Sequence, residues 1–124
     1  MDGLAKYKGL YIETAREYLK EMREKVALLS QGQKEKELIK AVHLAAHSLS
    51  GQSSVAGYGH IAGIASVIER IFKAQLDDQV SDLEDEVLNN IASTIEKMLL
   101  SVEQIEENGE EIDLSGEIEA LSNA

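Results

Sequence analysis

Residues 34–55 read KEKELIKAVHLAAHSLSGQSSV, and the period of their apolar side chains indicates an amphipathic α-helix. The apolar positions of this segment are Leu38, Ile39, Val42, Ala45, Ala46 and Leu49. Side chains at this spacing share one face of a helix, whereas successive strand residues point to opposite faces. The segment is therefore predicted to be a helix that packs one face on a hydrophobic core.

The same helical period continues through the segments on both sides. Glycines separate those segments, and the chain has no proline. Helices are predicted over residues 4–29, 34–55, 60–76, 82–106 and 113–122, and Ser81-Asp82-Leu83-Glu84 reads as a capping box for the fourth. Four long amphipathic helices joined by short loops predict an all-α fold, an antiparallel up-down four-helix bundle with a short fifth C-terminal helix.

Two local features of this bundle are also predicted. Gly57-Tyr58-Gly59 is expected to form the tight corner between the second and third helices, with both glycines permitting backbone angles that other residues avoid. The first helix is expected to turn one stripe toward the core: Leu4, Tyr7, Tyr11, Ala15, Tyr18, Met22, Val26 and Leu29.

Length and composition narrow the classes of function. The 124 residues suit one domain, 1–124, and the lack of a boundary signal at Asn123-Ala124 leaves open a longer protein with this domain at its N-terminus. Acidic residues outnumber basic ones 23 to 12, and a formal charge of −11 argues against binding to nucleic acid or to anionic membranes. The absence of cysteine excludes disulfides, thiol catalysis and zinc sites with sulfur ligands.

Two further absences bear on where the protein works. No apolar run approaches the ~20 residues of a transmembrane helix, so no membrane insertion is expected. The N-terminus has no signal-peptide pattern, which favours a cytoplasmic location.

His47 stands out as a candidate functional residue because it is expected to face solvent in the middle of a helix. It lies roughly 150° from the centre of the apolar stripe on a helical wheel. Its neighbours on that side include Ser48, Ser50 and Gly51, which are small and are poor helix formers. An exposed imidazole surrounded by small residues is accessible to a partner, although an ordinary surface histidine would show the same exposure.

The spacing His47-x-x-Ser50-Gly51-x5-Gly57-Tyr58 resembles the signature of histidine phosphotransfer (HPt) domains, and most of all the N-terminal phosphotransfer domain of CheA-type chemotaxis kinases. The resemblance implies that His47 is the phosphoacceptor. A CheA-type kinase catalytic domain would donate the γ-phosphoryl group of ATP, and an aspartate on a response-regulator receiver domain would receive it. ATP and Mg would be bound by the kinase domain, so this chain would need no cofactor of its own.

The resemblance also implies supporting residues. Glu69 matches a glutamate that orients the imidazole. From its place one turn before His47, His43 is a candidate to support the site, although a histidine there is more often a filler on the flank of the helix. Ser50 replaces a motif lysine that would balance the charge of the phosphoryl group, which serine cannot do. The candidates to supply that charge instead are Lys40, Arg70 and Lys73.

Two other readings remain open at this stage. His43 and His47 are spaced i, i+4, which allows both to bind one metal ion, with Glu69 or His60 as a third ligand. The chain lacks the Glu-x-x-His pattern of di-iron bundles. The missing motif lysine also allows a helical module that binds partners without being phosphorylated. Catalysis within the chain is not indicated, because neither a Gly-x-Ser-x-Gly motif nor a phosphate-binding glycine loop is present.

Overall fold

The computed structural model describes residues 2–77 and 83–123, and within those ranges it contains five helices and no strand. The helices are α1 (Asp2–Ser30), α2 (Lys36–Ala56), α3 (Gly59–Leu76), α4 (Asp85–Asn108) and α5 (Ser115–Ser122). They pack as a bundle around one apolar core, which confirms the predicted all-α class. None of these helices is both long enough and apolar enough to cross a membrane.

The backbone around α2 shows why that helix begins and ends where it does. Glu35 is extended, with φ −69° and ψ 134°, so α2 begins at Lys36. At the other end, Gly57 adopts φ 89°, a left-handed conformation that glycine accepts without steric cost. The prediction for Gly59 is wrong, because Gly59 is the first residue of α3 and has no positive φ. One left-handed glycine therefore makes the corner.

The start of α4 lies at the edge of the described residues. The predicted capping box begins at Ser81 and Asp82, which lie outside them. Glu84 is extended, with φ −72° and ψ 151°, and α4 begins at Asp85. Asp85 and the residue after it, Glu86, place carboxylates in the first turn, where the positive end of the helix dipole favours them.

The first helix contributes more to the core than one stripe. It packs against both α2 and α4, and its buried side chains therefore also include Ile12 and Leu19. The prediction that Tyr7 is a core residue is wrong, since Tyr7 is 46% exposed. Tyr11 contacts Ser53 close to the end of α2, so the turn of α1 that carries Tyr7 extends beyond that helix.

A small polar network lies where α1 meets the α2–α3 corner. The Tyr11 hydroxyl and Ser53 Oγ are 2.8 Å apart, which satisfies two buried polar groups with one hydrogen bond. The Tyr58 ring packs against the Tyr11 ring with their centroids 5.1 Å apart and their planes tilted by 30°. Burial raises the pKa of the Tyr11 hydroxyl to about 12. Tyr58 thus fixes the corner to α1.

The segment before α5 caps α3, the helix that carries Glu69. The Glu111 carboxylate accepts the backbone N–H groups of His60 and Ile61, at 3.1 and 3.0 Å. These are unpaired donors at a helix N-terminus, and a carboxylate there is also favoured by the helix dipole. The backbone N–H of Leu114 donates in turn to His60 Nδ1 at 3.1 Å. The C-terminal segment and the start of α3 are therefore held together by three hydrogen bonds.

Candidate functional site

His47 lies near the middle of α2, on the side turned away from the core. Its side chain is 68% exposed, whereas Ala46 and Leu49 beside it are fully buried, as the helical wheel predicts. Gly51, one turn later, is exposed, and a Cβ atom built there would meet nothing within 4 Å. The imidazole is therefore open to approach by another protein.

A carboxylate from the neighbouring helix binds this imidazole. Glu69 Oε2 on α3 lies 2.7 Å from His47 Nδ1, a short distance for a hydrogen bond that involves a charged group. The Glu69 side chain is only 22% exposed, so it is more shielded from water than the ring it contacts. The structure thus brings together the two residues that the sequence singled out.

This contact fixes which ring nitrogen is available. A carboxylate can only accept a hydrogen bond, so Nδ1 of His47 carries the proton. In the neutral ring the other nitrogen, Nε2, then has no proton and keeps its lone pair. The exposed part of the ring therefore carries a nucleophilic nitrogen in a defined orientation.

The His43 ring contacts the main chain of the same glutamate. Its Nδ1 lies 3.4 Å from the carbonyl oxygen of Glu69, and its side chain is half-buried between α2 and α3. A carbonyl also only accepts, so Nδ1 of His43 is the donor. The two histidines of α2 therefore bind different groups of Glu69. His47 binds its carboxylate, and His43 binds its main-chain carbonyl.

Ser50 has a structural contact of its own. Its hydroxyl donates to the carbonyl oxygen of Ala62 on α3 at 3.1 Å. The one hydroxyl proton of Ser50 is thus used to join α2 to α3, one turn beyond His47. The residue at the position of the motif lysine supplies no cation and helps hold the site's two helices together.

The three candidate cations lie in different places. Lys73 lies one turn after Glu69 on α3, and its Nζ is 3.4 Å from Asp77 Oδ2. Arg70 lines a shallow depression between α3 and α5 with Val67 and Leu121, so the structure does not bring it to His47. Lys40 is exposed on α2, two helical turns or about 10 Å before His47 along the axis.

The alternative function, a metal site, requires several ligand side chains arranged around one point. Across residues 2–77 and 83–123, no group of three or more His, Asp or Glu side chains is arranged to hold a metal ion. His60, one proposed third ligand, lies at the start of α3 and accepts a hydrogen bond from the Leu114 N–H at Nδ1. That nitrogen cannot also donate to Asp113 Oδ1, 3.6 Å away.

Sequence reasoning missed the residues that support the helix carrying Glu69. Glu111 caps the start of α3 from 50 positions away, and the Ala62 carbonyl receives the Ser50 hydroxyl. The acidic stretch around Glu111 has no local pattern that distinguishes one carboxylate from its neighbours. A contact of this kind becomes visible only when the helices are packed.

The sequence model of the family described as Hpt domain matches residues 6–124, nearly the whole chain. No solved structure is significantly similar to the chain.

Proposed function

The chain belongs to the Hpt domain family, and from that premise we propose that His47 is its phosphoacceptor. Hpt domains exchange phosphoryl groups with kinases and response regulators, so the chain acts in histidine phosphotransfer in two-component signalling. The main support for His47 is the 2.7 Å contact between its Nδ1 and Glu69 Oε2. This contact leaves Nε2 unprotonated on an exposed ring.

In the first step, the Nε2 lone pair of His47 attacks the γ-phosphorus of ATP held by a separate kinase domain. A P–N bond forms, the bond from the γ-phosphorus to the β,γ-bridging oxygen breaks, and ADP leaves with that electron pair. Nδ1 keeps its proton, so the ring becomes a cation that carries the phosphoryl group. The Glu69 carboxylate stabilises the positive charge as it develops, because it already accepts the Nδ1 proton.

In the second step, the phosphoryl group passes to a receiver domain. A carboxylate oxygen of the receiver aspartate attacks phosphorus, the P–N bond breaks, and its electron pair returns to Nε2 of His47. The ring is neutral again, with its proton still on Nδ1. The bond to Glu69 keeps the ring in the same orientation through both steps, which avoids a rearrangement between them.

We also propose that the donor is a CheA-type kinase and that the setting is chemotaxis. The support is the run Ala45-Ala46-His47-Ser48-Leu49 together with the Gly57-Tyr58 corner, which resembles the phosphotransfer domain of those kinases. In this proposal ATP and Mg are bound by the kinase catalytic domain, a response-regulator receiver domain is the acceptor, and the chain needs no cofactor of its own. The location is cytoplasmic.

The fold proposed for α1 to α4 is the antiparallel up-down arrangement. Between α1 and α2, between α1 and α4, and between α2 and α3, residues later in one helix meet residues earlier in the other. The pairs are Tyr11 with Ser53, Arg16 with Glu106, Arg23 with Glu96, His43 with Glu69, and Ser50 with Ala62. This inverse order is what an antiparallel bundle requires.

Phosphorylation of the domain by a kinase core tests the proposed function. The domain is incubated with a CheA-type catalytic core and Mg-ATP, with His47→Gln as the control, and the modified residue is located by mass spectrometry. Acid-labile, base-stable label on His47 that is absent from the control is expected. An unlabelled domain, with a core that phosphorylates another Hpt domain in parallel, would favour a module that binds partners without being phosphorylated.

A further inference from the structure

Residue 69 contacts both histidines of α2. Its carboxylate lies 2.7 Å from His47 Nδ1, and its main-chain carbonyl lies 3.4 Å from His43 Nδ1. His43 and His47 are four residues apart, so they are neighbours on one helix face, with Cβ atoms about 6 Å apart. His43 is therefore the titratable group of α2 next to the place where a phosphoryl group on His47 would lie.

A phosphoryl group at this place creates a problem of charge. It would add up to about two negative charges beside the Glu69 carboxylate, on a chain whose formal charge is already −11. In the described part of the chain, Glu69 forms no ion pair with a lysine or arginine. The Lys73 side chain pairs with Asp77, and Lys40 lies one turn before His43 on α2, farther from His47.

We propose that His43 supplies the missing positive charge once His47 is phosphorylated. Its Nδ1–H already donates to the Glu69 carbonyl, which leaves Nε2 to take a second proton from water. The resulting imidazolium carries a new Nε2–H that can donate to a phosphoryl oxygen of the neighbouring residue. This inference rests on the proposed role of His47.

The charge around His43 and His47 determines when His43 takes that proton. Charged residues close in sequence to the contacts between these histidines and α3 include Lys40 on α2 and Glu69 and Lys73 on α3. The phosphoryl group on His47 adds the largest negative charge in the neighbourhood. Proton uptake by His43 is therefore coupled to phosphorylation of His47, and the charge is present when it is needed.

Two substitutions of His43 separate charge from position. In His43→Gln the side-chain amide can still donate to the Glu69 carbonyl but cannot become a cation, whereas His43→Lys is always charged. At pH 7 we expect phosphorylation of His47 by a CheA-type core to slow about three- to fivefold in His43→Gln and to recover in His43→Lys. Lys34→Gln is the control for loss of an exposed positive charge before the start of α2, and we expect it to match wild type.

A lysine introduced at position 50 provides an independent test of the same charge role. Lysine at this position places a cation one turn after His47, on the other side from His43. In a Ser50→Lys background, we therefore expect His43→Gln to slow phosphorylation by less than twofold. An equal slowing in both backgrounds, with thermal unfolding showing that each variant is folded, would overturn the charge role of His43.

An NMR titration of the histidine rings provides a readout that a structural role would not change. We expect the titration midpoint of His43 to move to higher pH when His47 is phosphorylated, while that of His60 stays the same. An unchanged midpoint for His43 in the phosphorylated domain would overturn the proposal. Failure of the wild-type domain to be labelled on His47 would instead overturn the function on which it rests.

Discussion

Glu69 on α3 accepts the Nδ1 proton of His47 on α2 across a heavy-atom distance of 2.7 Å. The contact joins an exposed imidazole on one helix to a shielded carboxylate on the other. It fixes the tautomer of the ring, so that Nε2 is the nitrogen with a free lone pair. The orientation of Nε2 of His47 on α2 therefore depends on a second helix, α3.

Replacement of His47 by glutamine should abolish phosphorylation without unfolding the domain. The side chain is 68% exposed, and substitutions at exposed positions change stability by less than about 0.5 kcal/mol. The measurement pairs incorporation of label from ATP with thermal unfolding. A variant that loses its cooperative unfolding transition would show that His47 is a structural residue.

Replacement of Glu69 by glutamine should lower the rate of phosphorylation by about tenfold. The amide oxygen can still accept the Nδ1 proton, but it has no charge with which to stabilise the imidazolium that forms. Affinity for a receiver domain should stay nearly unchanged, because the Glu69 side chain is mostly shielded. Rates come from label incorporation with time and affinities from titration calorimetry. A rate equal to wild type would remove Glu69 from the mechanism.

The site was only partly predictable from the sequence. The helical period identified the buried face of α2, and so the exposure of His47, because burial on one side repeats along a single helix. The helical period did not distinguish Glu69 on α3, and only the family resemblance singled that residue out. The Glu111 cap on His60 and Ile61 had no signal, since a carboxylate 50 positions away has no periodic relation to a helix start.

The hydrophobic core was likewise only partly predictable from the sequence. The spacing of apolar residues found the stripe around Met22 and Val26, which are fully buried. Ile12 and Leu19 fell outside it, because α1 packs against two helices and a single stripe describes contact with one. Tyr7 was placed inside because the pattern does not show where the neighbouring helix stops.

Removal of the Tyr11 hydroxyl should destabilise the fold and leave the chemistry intact. Tyr11→Phe breaks the buried hydrogen bond to Ser53 and leaves the serine hydroxyl without its partner, which costs about 1–2 kcal/mol. Tyr7→Phe is the matched control, because that tyrosine is 46% exposed and its loss should cost almost nothing. Urea unfolding measures both variants. Equal stabilities would show that the hydrogen bond contributes nothing net.

Acid should weaken the contact between α1 and α4. The Arg16 guanidinium donates to Glu106 at 2.6 Å and lowers the pKa of that carboxyl below its ordinary value of 4.5. A lowered pKa in the folded state means that the pair stabilises the fold above about pH 4.5, and that this stability is lost as pH falls through the folded value.

The variant Glu106→Gln tests this pH dependence. It should be slightly less stable than wild type at pH 7, and the difference should shrink between pH 7 and pH 3, because the wild-type carboxyl takes up its proton as pH falls through its folded pKa. Because the pair is open to solvent, with the side chains of Arg16 and Glu106 33% and 53% exposed, the difference at pH 7 should also shrink in 1 M salt. Unfolding free energies at the two pH values provide the measurement. A difference of the same size at pH 3 would mean that the pair acts through packing and not through charge.

The central claim is that phosphorylation takes place on Nε2 of His47 while Nδ1 stays bound to Glu69. The most direct test is long-range ¹H–¹⁵N NMR of the phosphorylated, ¹⁵N-labelled domain, in which the two ring nitrogens are distinguished by their couplings to the ring protons. We expect phosphorus on Nε2 and a proton on Nδ1 of His47. Phosphorus on Nδ1 of His47, or on any other residue, would contradict the account.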